Sequence, residues 1–435
     1  MEWWAVLSVG LAVLLAVFLT GAPLFVGFLL INLCGIYLLA GGRGFVMVSD
    51  SIFDTAKISQ LTAIPLFILM GEILTRSGSV AMLFSSMDGL IGKVRGRQYV
   101  LTILVSVIFG ALCGAAMAVA AMMARSLYPT MMARKYDSKL SIGAILAGAS
   151  LAPIIPPSVL VVIVATLADI SVAKLLIAGI LPGLVAAALF LVYIAVRVRL
   201  NPALSPDAET GAARPGLVGK LIAVAQMLPF TIIIFCVMGF ILLGIATPSE
   251  SAATGVVGSL VVAAIYRRLS WRMVWEALDA TASMTAMILA IVVSSILFGQ
   301  LLAFTGATRE LIAFATGLSH ASFIVMLVML VVVFAMCMFI DQTALMLILV
   351  PIYVPLVTHL GLDPIWFWLL VLVNLTVGGI TPPFGYAMFA FKAGAPGVGL
   401  PEIFSAVLPF VLLFIVLMAL IVAFPPLATY LPGRI

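Results

Sequence analysis

Gly378-Gly379-Ile380-Thr381-Pro382-Pro383-Phe384-Gly385 interrupts an apolar segment in the last quarter of this 435-residue chain. A second Pro-Pro pair lies 226 residues earlier, within Ala152-Pro153-Ile154-Ile155-Pro156-Pro157-Ser158. One offset that relates several landmarks indicates a long internal repeat, around which the fold is expected to be built. The same offset relates two further pairs of positions, Asp363 with Asp137 and Asp341 with Ala115.

The composition decides which solvent surrounds the repeat. Hydrophobic residues make up 65% of the chain, charged residues make up 9%, and the mean hydropathy is +1.35. No water-soluble domain hides that much apolar surface, so we predict an all-α polytopic protein of the lipid bilayer. The net charge of +5 does not indicate nucleic acid, because the basic residues lie in short loops beside apolar segments. No nucleophile triad, phosphate loop or metal-ligand cluster is visible in the sequence, so we expect neither an enzyme nor a cofactor.

Apolar segments and polar breaks divide the chain into two similar halves. About 20 residues of helix cross the hydrocarbon of a bilayer, and the first such span is predicted near residues 3–19. The predicted order is N-terminal helices in 1–97, a first repeat in 98–196, a cytoplasmic linker in 197–220, further helices in 221–304 and a second repeat in 321–425. Each repeat is predicted to hold a re-entrant hairpin and then a Pro-Pro-broken helix, at 98–127 and 140–168 in the first half and at 321–357 and 365–391 in the second.

The basic residues predict how the halves are oriented. If the first hairpin enters the membrane from the cytoplasm and the second from the opposite side, all but five of the 21 Lys and Arg residues are cytoplasmic. This bias agrees with the positive-inside rule and indicates halves of opposite orientation. Inverted repeats with interrupted helices are typical of secondary transporters, whose substrate and ion sites lie near the midplane where the repeats meet.

Each Pro-Pro break predicts either a binding site or a kink. Two consecutive prolines unwind a helix, so several carbonyl oxygens lose their donors. Such oxygens are costly in hydrocarbon unless something binds them, and a sodium ion, which prefers hard oxygen ligands, meets that need. The half-helix after each break also directs N–H groups and a positive dipole end to the same place, which suits an anionic substrate. The repeat favours the site over a kink that merely packs around neighbours.

Asp341 is the sharpest single candidate, because an ionisable residue between two long apolar arms is expensive and usually functional. The tip Asp341-Gln342-Thr343 offers side-chain oxygens to a cation that faces Gly378 to Thr381. Asp341 can instead cap the second arm of its hairpin through backbone N–H groups, and the two roles are compatible. Its counterpart Ala115 carries no charge, so the first hairpin would have to bind an ion through the backbone of Gly110 to Gly114.

Three other polar residues in the apolar segments have plainer interpretations. Glu72 is predicted to pair with Arg76 on the following turn. Arg125, in the second arm of the first hairpin, is expected to snorkel to the interface rather than to meet a substrate carboxylate. Asn374 faces either the second break or a neighbouring helix.

Five segments together resemble the DctM-like large membrane subunit of tripartite ATP-independent periplasmic (TRAP) transporters. They are Ala63 to Glu72, Pro153 to Ser158, Ile245 to Ala253, Phe339 to Asp341 and Leu375 to Gly385. The resemblance covers nearly the whole chain and implies a sodium-driven importer with an elevator-type ion transporter fold. In that fold, 98–196 and 321–425 would form a transport domain that slides against a scaffold made of 1–97 and 221–304.

The resemblance also implies partners and site residues. The partners would be a small four-helix membrane subunit and a periplasmic substrate-binding protein that delivers an organic acid, and the location would be a bacterial inner membrane. The implied sodium-binding residues are Gly110, Cys113, Gly114, Ala152, Pro153, Pro156, Asp341, Thr343, Gly378, Gly379, Thr381 and Pro382. The implied substrate-binding residues are Ser158, Pro157, Asn374, Thr381 and Pro383.

The sequence therefore predicts sodium-coupled secondary uptake of a small organic anion, with a carboxylate as the expected class. Two other classes stay open at this point. A free-standing anion symporter or proton antiporter would need no binding protein, with Asp341 as the proton carrier. A non-transporting membrane scaffold is disfavoured by the paired breaks and by the aspartate between apolar arms.

Overall fold

The computed structural model describes residues 12–13, 16–17, 20, 24–90, 94–206, 217–318 and 322–435. The predicted span near 3–19 and the middle of the linker, 207–216, lie largely or wholly outside these residues. The helices of the first half are α1 (Leu24–Ala40), α2 (Phe45–Lys57), α3 (Ala63–Arg76), α4 (Ser79–Leu90), α5 (Arg97–Cys113), α6 (Ala116–Ala133), α7 (Ser138–Ala149), α8 (Val159–Leu167), α9 (Val172–Ala178) and α10 (Ile180–Leu200). Those of the second half are α11 (Leu217–Ile234, continued by a π-helical turn at Phe235–Gly239 and a last turn at Phe240–Leu242), α12 (Pro248–Ile265), α13 (Trp271–Phe304), α14 (Ala307–Leu318), α15 (Ser322–Cys337), α16 (Gln342–His359), α17 (Pro364–Gly378), α18 (Tyr386–Gly394), α19 (Leu400–Ala423) and α20 (Pro426–Thr429).

The predicted all-helical membrane fold is confirmed. Within the described ranges, six helical segments are long and apolar enough to cross a bilayer, and a seventh is possible if two helices joined by a 63° bend form one span. That bent pair consists of α2 and the segment Ser59–Arg76, which contains α3. The structure adds α2, α4 and α14, which the sequence analysis did not predict as separate helices. They have 13, 12 and 12 residues, so each is shorter than the roughly 20 residues that cross the hydrocarbon of a bilayer.

Both halves contain the predicted hairpin and broken helix. The hairpins are α5 with α6 and α15 with α16, and the broken helices are α7 with α8 and α17 with α18. Asp137 and Asp363 have the same role in the two copies: each accepts a hydrogen bond from a backbone N–H at the start of its helix, that of Leu140 at 2.8 Å and that of Trp366 at 2.9 Å. Both Pro-Pro peptide bonds are cis. The two segments related by an offset of 226 residues in the sequence therefore have the same local structure.

Some predicted boundaries shift. The tip of the first hairpin is Gly114-Ala115 rather than Gly110 to Gly114, because α5 stays helical through Cys113 and ends on Gly114 at a φ of 65°. The linker begins later than the predicted residue 197, because α10 continues to Leu200. Its first residues are held in place: the carbonyl of Leu204 accepts hydrogen bonds from the Tyr99 hydroxyl at 2.6 Å and from the backbone N–H of Asp137 at 3.1 Å.

The helices outside the repeats pack on one another. Helix α3 packs against α12 and α13, and α13 packs against α1. Arg76 pairs with Glu72 at 2.7 Å, as predicted, and also with Glu276 of α13 at 3.3 Å. The buried Asn32 amide of α1 donates to the carbonyl of Ser294 at 2.7 Å. The name scaffold is used below for α1 to α4 and α11 to α13.

One contact between the scaffold and the second hairpin depends on a proline inside a helix. Pro351 has no N–H, so the carbonyl of Leu347, four residues earlier in α16, loses its helical donor. The buried hydroxyl of Ser295 in α13 donates to that carbonyl at 2.5 Å. Beside it, a Cβ added at Gly299 would lie 3.2 Å from Cβ of Pro351. The scaffold thus satisfies a backbone group that the hairpin cannot satisfy itself.

Candidate ion and substrate sites

The tip of the first hairpin lies on the first break, as predicted. A Cβ built on Gly110 would be 3.0 Å from Cα of Ala152, and one built on Gly114 would be 3.3 Å from the carbonyl oxygen of Pro157. Gly114 also has a left-handed backbone, which favours glycine at this position. The same tip contacts the scaffold, because a Cβ on Gly71 of α3 would be 3.2 Å from the carbonyl oxygen of Cys113.

The first break is covered on its other side. Residues 151–158 are all buried. A Cβ on Gly179 would overlap the carbonyl oxygen of Ile154, and one on Gly183 would overlap the side chain of Ile155, so α9 and α10 pack directly against the unwound segment. The first site is therefore enclosed by its hairpin tip, by α3 and by the α9–α10 pair.

The first break offers backbone oxygens rather than charge. In the described part of the chain, the carbonyls of Pro153, Pro156 and Pro157 accept no backbone hydrogen bond. Ser158 is buried and caps α8, with its hydroxyl oxygen 3.5 Å from the N–H of Val161. The structure thus gives the predicted substrate residue Ser158 a capping role, and it leaves the proline carbonyls as the groups that a cation would bind.

The tip of the second hairpin lies on the second break in a similar way. A Cβ on Gly378 would overlap Sγ and Cβ of Cys337, the last residue of α15. The rings of Phe339 at the tip and Phe384 in the break are 6.1 Å apart, and both side chains are mostly exposed. Pro383 is exposed as well. The second site is therefore more open than the first.

Asp341 caps α16 and retains an unused carboxylate oxygen. Its Oδ2 accepts hydrogen bonds from the N–H groups of Thr343 at 2.9 Å and Ala344 at 3.4 Å. Both bonds fall on the same oxygen, and no hydrogen bond to Oδ1 is found among the described residues. Asp341 is exposed. The predicted capping role is confirmed, and the geometry leaves Oδ1 available for a cation.

The second break combines satisfied carbonyls with unpaired ones. The carbonyl of Gly378 accepts a hydrogen bond from the N–H of Thr381 at 3.1 Å. The carbonyl of Gly379 accepts a hydrogen bond from the N–H of Ala387 at 3.0 Å, so the start of α18 compensates part of the unwinding. Within the described ranges, the carbonyls of Pro382 and Pro383 accept no backbone hydrogen bond. The buried Thr381 hydroxyl donates to the carbonyl of Val377 at 2.7 Å, which leaves its oxygen lone pairs as potential ligands.

Tyr386, which was not predicted from the sequence, lies at the candidate second site. The hydroxyl of Tyr386, the first residue of α18, donates to the side-chain oxygen of Gln342 at 2.5 Å. This bond joins the hairpin tip directly to the far side of the break. No pattern in the sequence singles out Tyr386, because its partner is 44 residues away.

Asn374 uses its amide nitrogen to contact a neighbouring helix. Its buried amide donates to the carbonyl of Leu330 in α15 at 2.6 Å, so it faces a neighbouring helix, the second of the two predicted alternatives. Its buried Oδ1 has no hydrogen-bond partner among the described residues, and its role in substrate binding stays a prediction. Arg125 is exposed on α6, and its interfacial role stays a prediction.

Comparisons with known proteins agree with this architecture. Residues 11–427 match the family described as the tripartite ATP-independent periplasmic transporter, DctM component. The C4-dicarboxylate TRAP transporter large permease protein DctM of Pseudomonas aeruginosa is 29% identical over 88% of each chain. The ectoine TRAP transporter large permease protein TeaC of Halomonas elongata is 27% identical over 98% of each chain. The 2,3-diketo-L-gulonate TRAP transporter large permease protein YiaN of Escherichia coli is 29% identical over 88% of each chain.

A solved structure shares the fold. The YdaH transporter of Alcanivorax borkumensis superposes with a TM-score of 0.68, covering 93% of this chain and 99% of that one. Its sequence identity is 14%, so the likeness concerns the fold alone.

Proposed function

Since the chain belongs to the DctM family of tripartite ATP-independent periplasmic transporters, we propose that it carries out sodium-coupled uptake of a small organic anion. The family places it in the bacterial inner membrane as the large permease subunit. We propose a small four-helix membrane subunit and a periplasmic substrate-binding protein as its partners. A carboxylate is the proposed substrate class, supported by relatives named for C4-dicarboxylates and for 2,3-diketo-L-gulonate.

The single observation that carries the sodium proposal is the state of Asp341. One of its carboxylate oxygens caps α16, and the other has no hydrogen-bond donor in the described part of the chain. The hairpin tip that carries it lies on a break with two unpaired proline carbonyls. A hard monovalent cation needs oxygen ligands of this kind, and the negative charge of Asp341 would offset the cost of removing the ion from water.

The elevator mechanism is proposed from how the two repeats pack. A Cβ on Gly394 of α18 would be 2.7 Å from the carbonyl oxygen of Ala121 and from Cβ of Ala124, both in α6. A Cβ on Gly143 of α7 would overlap α19 at Phe410. These close approaches interlock the repeats, which supports movement of the hairpins and broken helices as one body against the scaffold.

Uptake into proteoliposomes tests this function. The liposomes would hold this chain with its small membrane partner, with the binding protein and candidate acids outside, in an inward gradient of either sodium or choline. We expect uptake only with sodium and only with the binding protein. Asp341→Asn should lower uptake at least about tenfold at limiting sodium, because it keeps the cap and removes the charge.

Asp363→Asn is the matched control, since Asp363 also caps a helix in the second repeat but lies away from the break. It should transport within about twofold of the original protein, as a cap exchange between Asp and Asn predicts. Uptake that persists in choline would overturn sodium coupling. Uptake that needs no binding protein would instead favour a free-standing symporter or proton antiporter.

A further inference from the structure

Tyr386 is attached to the second hairpin tip and to the second break at the same time. Its hydroxyl donates to Gln342 at 2.5 Å, and Gln342 directly follows Asp341. Its ring lies against the backbone of Gly379, where an added Cβ would overlap ring carbons and the hydroxyl. The phenol therefore spans the distance from the unwound segment to the first residue of α16.

The other contacts between the second hairpin tip and the second break are apolar, so they do not hold the Gln342 side chain in one conformer. The thiol of Cys337 packs against the backbone of Gly378. The ring centroids of Phe339 and Phe384 are 6.1 Å apart. A Gln side chain with no partner rotates among several conformers, and ordering it costs free energy. A hydrogen bond from a phenol held by its own packing removes much of that freedom before a ligand arrives.

We propose that Tyr386 is a positioning residue of the Asp341 site, which orders Gln342 and so the hairpin tip for cation binding. The proposal rests on the proposed sodium coupling and adds a residue to it. Tyr386 need not touch the ion, because its hydroxyl leaves the second lone pair of the Gln342 amide oxygen free to face the site. Loss of the hydroxyl alone should weaken sodium binding without changing which substrate is carried.

Tyr386→Phe tests the proposal, with Tyr353→Phe as the matched control. Tyr353 belongs to the same hairpin, and its hydroxyl donates to the carbonyl of Met329 at 3.0 Å, which braces the two arms away from the tip. Both variants lose one hydroxyl and one hydrogen bond, and the bond of Tyr353 is the more buried, so Tyr353→Phe carries at least the purely structural cost of Tyr386→Phe. Only Tyr386→Phe removes a bond to the Asp341 site.

The measurements are the sodium concentration that half-saturates uptake and the sodium-dependent rise in melting temperature of the purified complex, with choline as the reference salt. For Tyr386→Phe we expect the half-saturating concentration to rise about fivefold, as loss of one hydrogen bond implies, with maximal uptake and the apparent KM for loaded binding protein within about twofold. Gln342→Ala should give a rise at least as large, because it also removes the amide oxygen that faces the site, and the double variant should add little beyond Gln342→Ala.

An unchanged sodium dependence in Tyr386→Phe would overturn the proposal while sodium coupling stood. An equal rise in Tyr353→Phe would also overturn it, because the effect would then be general loosening of the hairpin. Sodium-independent uptake by the original protein would remove the proposed function and this inference together. The thermal measurement needs no binding protein, so it separates failure of ion binding from failure of substrate delivery.

Discussion

The two hairpin tips rest on their breaks in the same way but differ in what surrounds them. The first tip, Gly114-Ala115, has no side-chain cap, and its break is buried under α9 and α10. The second tip carries the capping carboxylate of Asp341, and its break leaves Pro383 and Phe384 exposed. The backbone plan is duplicated, whereas the charge is present in one copy. Under the proposed function, the first break would bind its ion by backbone oxygens alone and the second by a carboxylate as well.

The closest approach between tip and break gives the largest expected effect. In Gly378→Ala the new methyl would overlap the Cys337 side chain, so the second tip has to separate from its break. We expect uptake to fall by more than about 90% and stability to fall by about 1–3 kcal/mol, the usual cost of overpacking. Thermal unfolding and proteoliposome uptake measure the two effects. Gly397→Ala, with no heavy atom within 4 Å of the added Cβ, should be close to neutral; equal behaviour of the two variants would break the comparison.

Substitution at the first hairpin tip should be costly for a different reason, which is backbone strain. Gly114→Ala forces a left-handed backbone on alanine, at about 1–2 kcal/mol, and brings a methyl to 3.3 Å from the Pro157 carbonyl oxygen. Gly361 has a φ of 64° with no heavy atom near its added Cβ, so Gly361→Ala carries the backbone cost alone. We expect both variants to melt at lower temperature but only Gly114→Ala to change the sodium dependence of uptake. Identical sodium curves would argue against a cation site at the first break.

Substitutions of the two capping aspartates, Asp137 and Asp363, should have equal effects on stability. Comparing them tests whether the two broken helices begin in the same way. Asp137→Ala and Asp363→Ala each remove one hydrogen bond to a helix N-terminus, so each should destabilise by about 1 kcal/mol. Asp137→Asn and Asp363→Asn should leave the melting temperature nearly unchanged, because Asn caps about as well as Asp. A loss of several times that size at only one position would show that the two broken helices are not held by equivalent caps.

Adding the missing cap to the first tip should have the smallest effect. Ala115 has an extended backbone at the N-cap position of α6, with no side-chain hydrogen bond. Ala115→Asn and Ala115→Asp should each stabilise by up to about 1 kcal/mol. Only the Asp variant adds charge, so a larger sodium-dependent gain in melting temperature for Asp than for Asn would show that the first tip can be given the chemistry of the second. Equal gains would mean that capping alone had been transferred.

The sequence predicted those parts of the fold that follow from local chemistry. Paired prolines unwind a helix, so one offset located both breaks. The same offset paired Asp137 with Asp363, whose shared capping role the structure then showed. Asp341 stood out because charge is rare between apolar arms. These features are visible in a few neighbouring residues.

The remaining features depend on contacts between distant segments. The bond from Tyr386 to Gln342, the approach of Cys337 to Gly378 and the covering of Ile154 by Gly179 join residues whose types are individually ordinary. The short helices α4 and α14 were missed because neither is long enough to look like a span. The position of Asn374 could not be decided from sequence, since both sides of a buried helix are apolar.

The hydrogen bond from Ser295 to the Leu347 carbonyl has a kinetic meaning if α16 slides along α13. A carbonyl released by Pro351 has no partner within its own helix, so each displacement of the hairpin leaves it unpaired until another donor, or water, reaches it. Such a group favours a few discrete resting positions over a continuous path. Ser295 would then hold the hairpin at the position seen here, because leaving that hydroxyl unpairs a buried carbonyl.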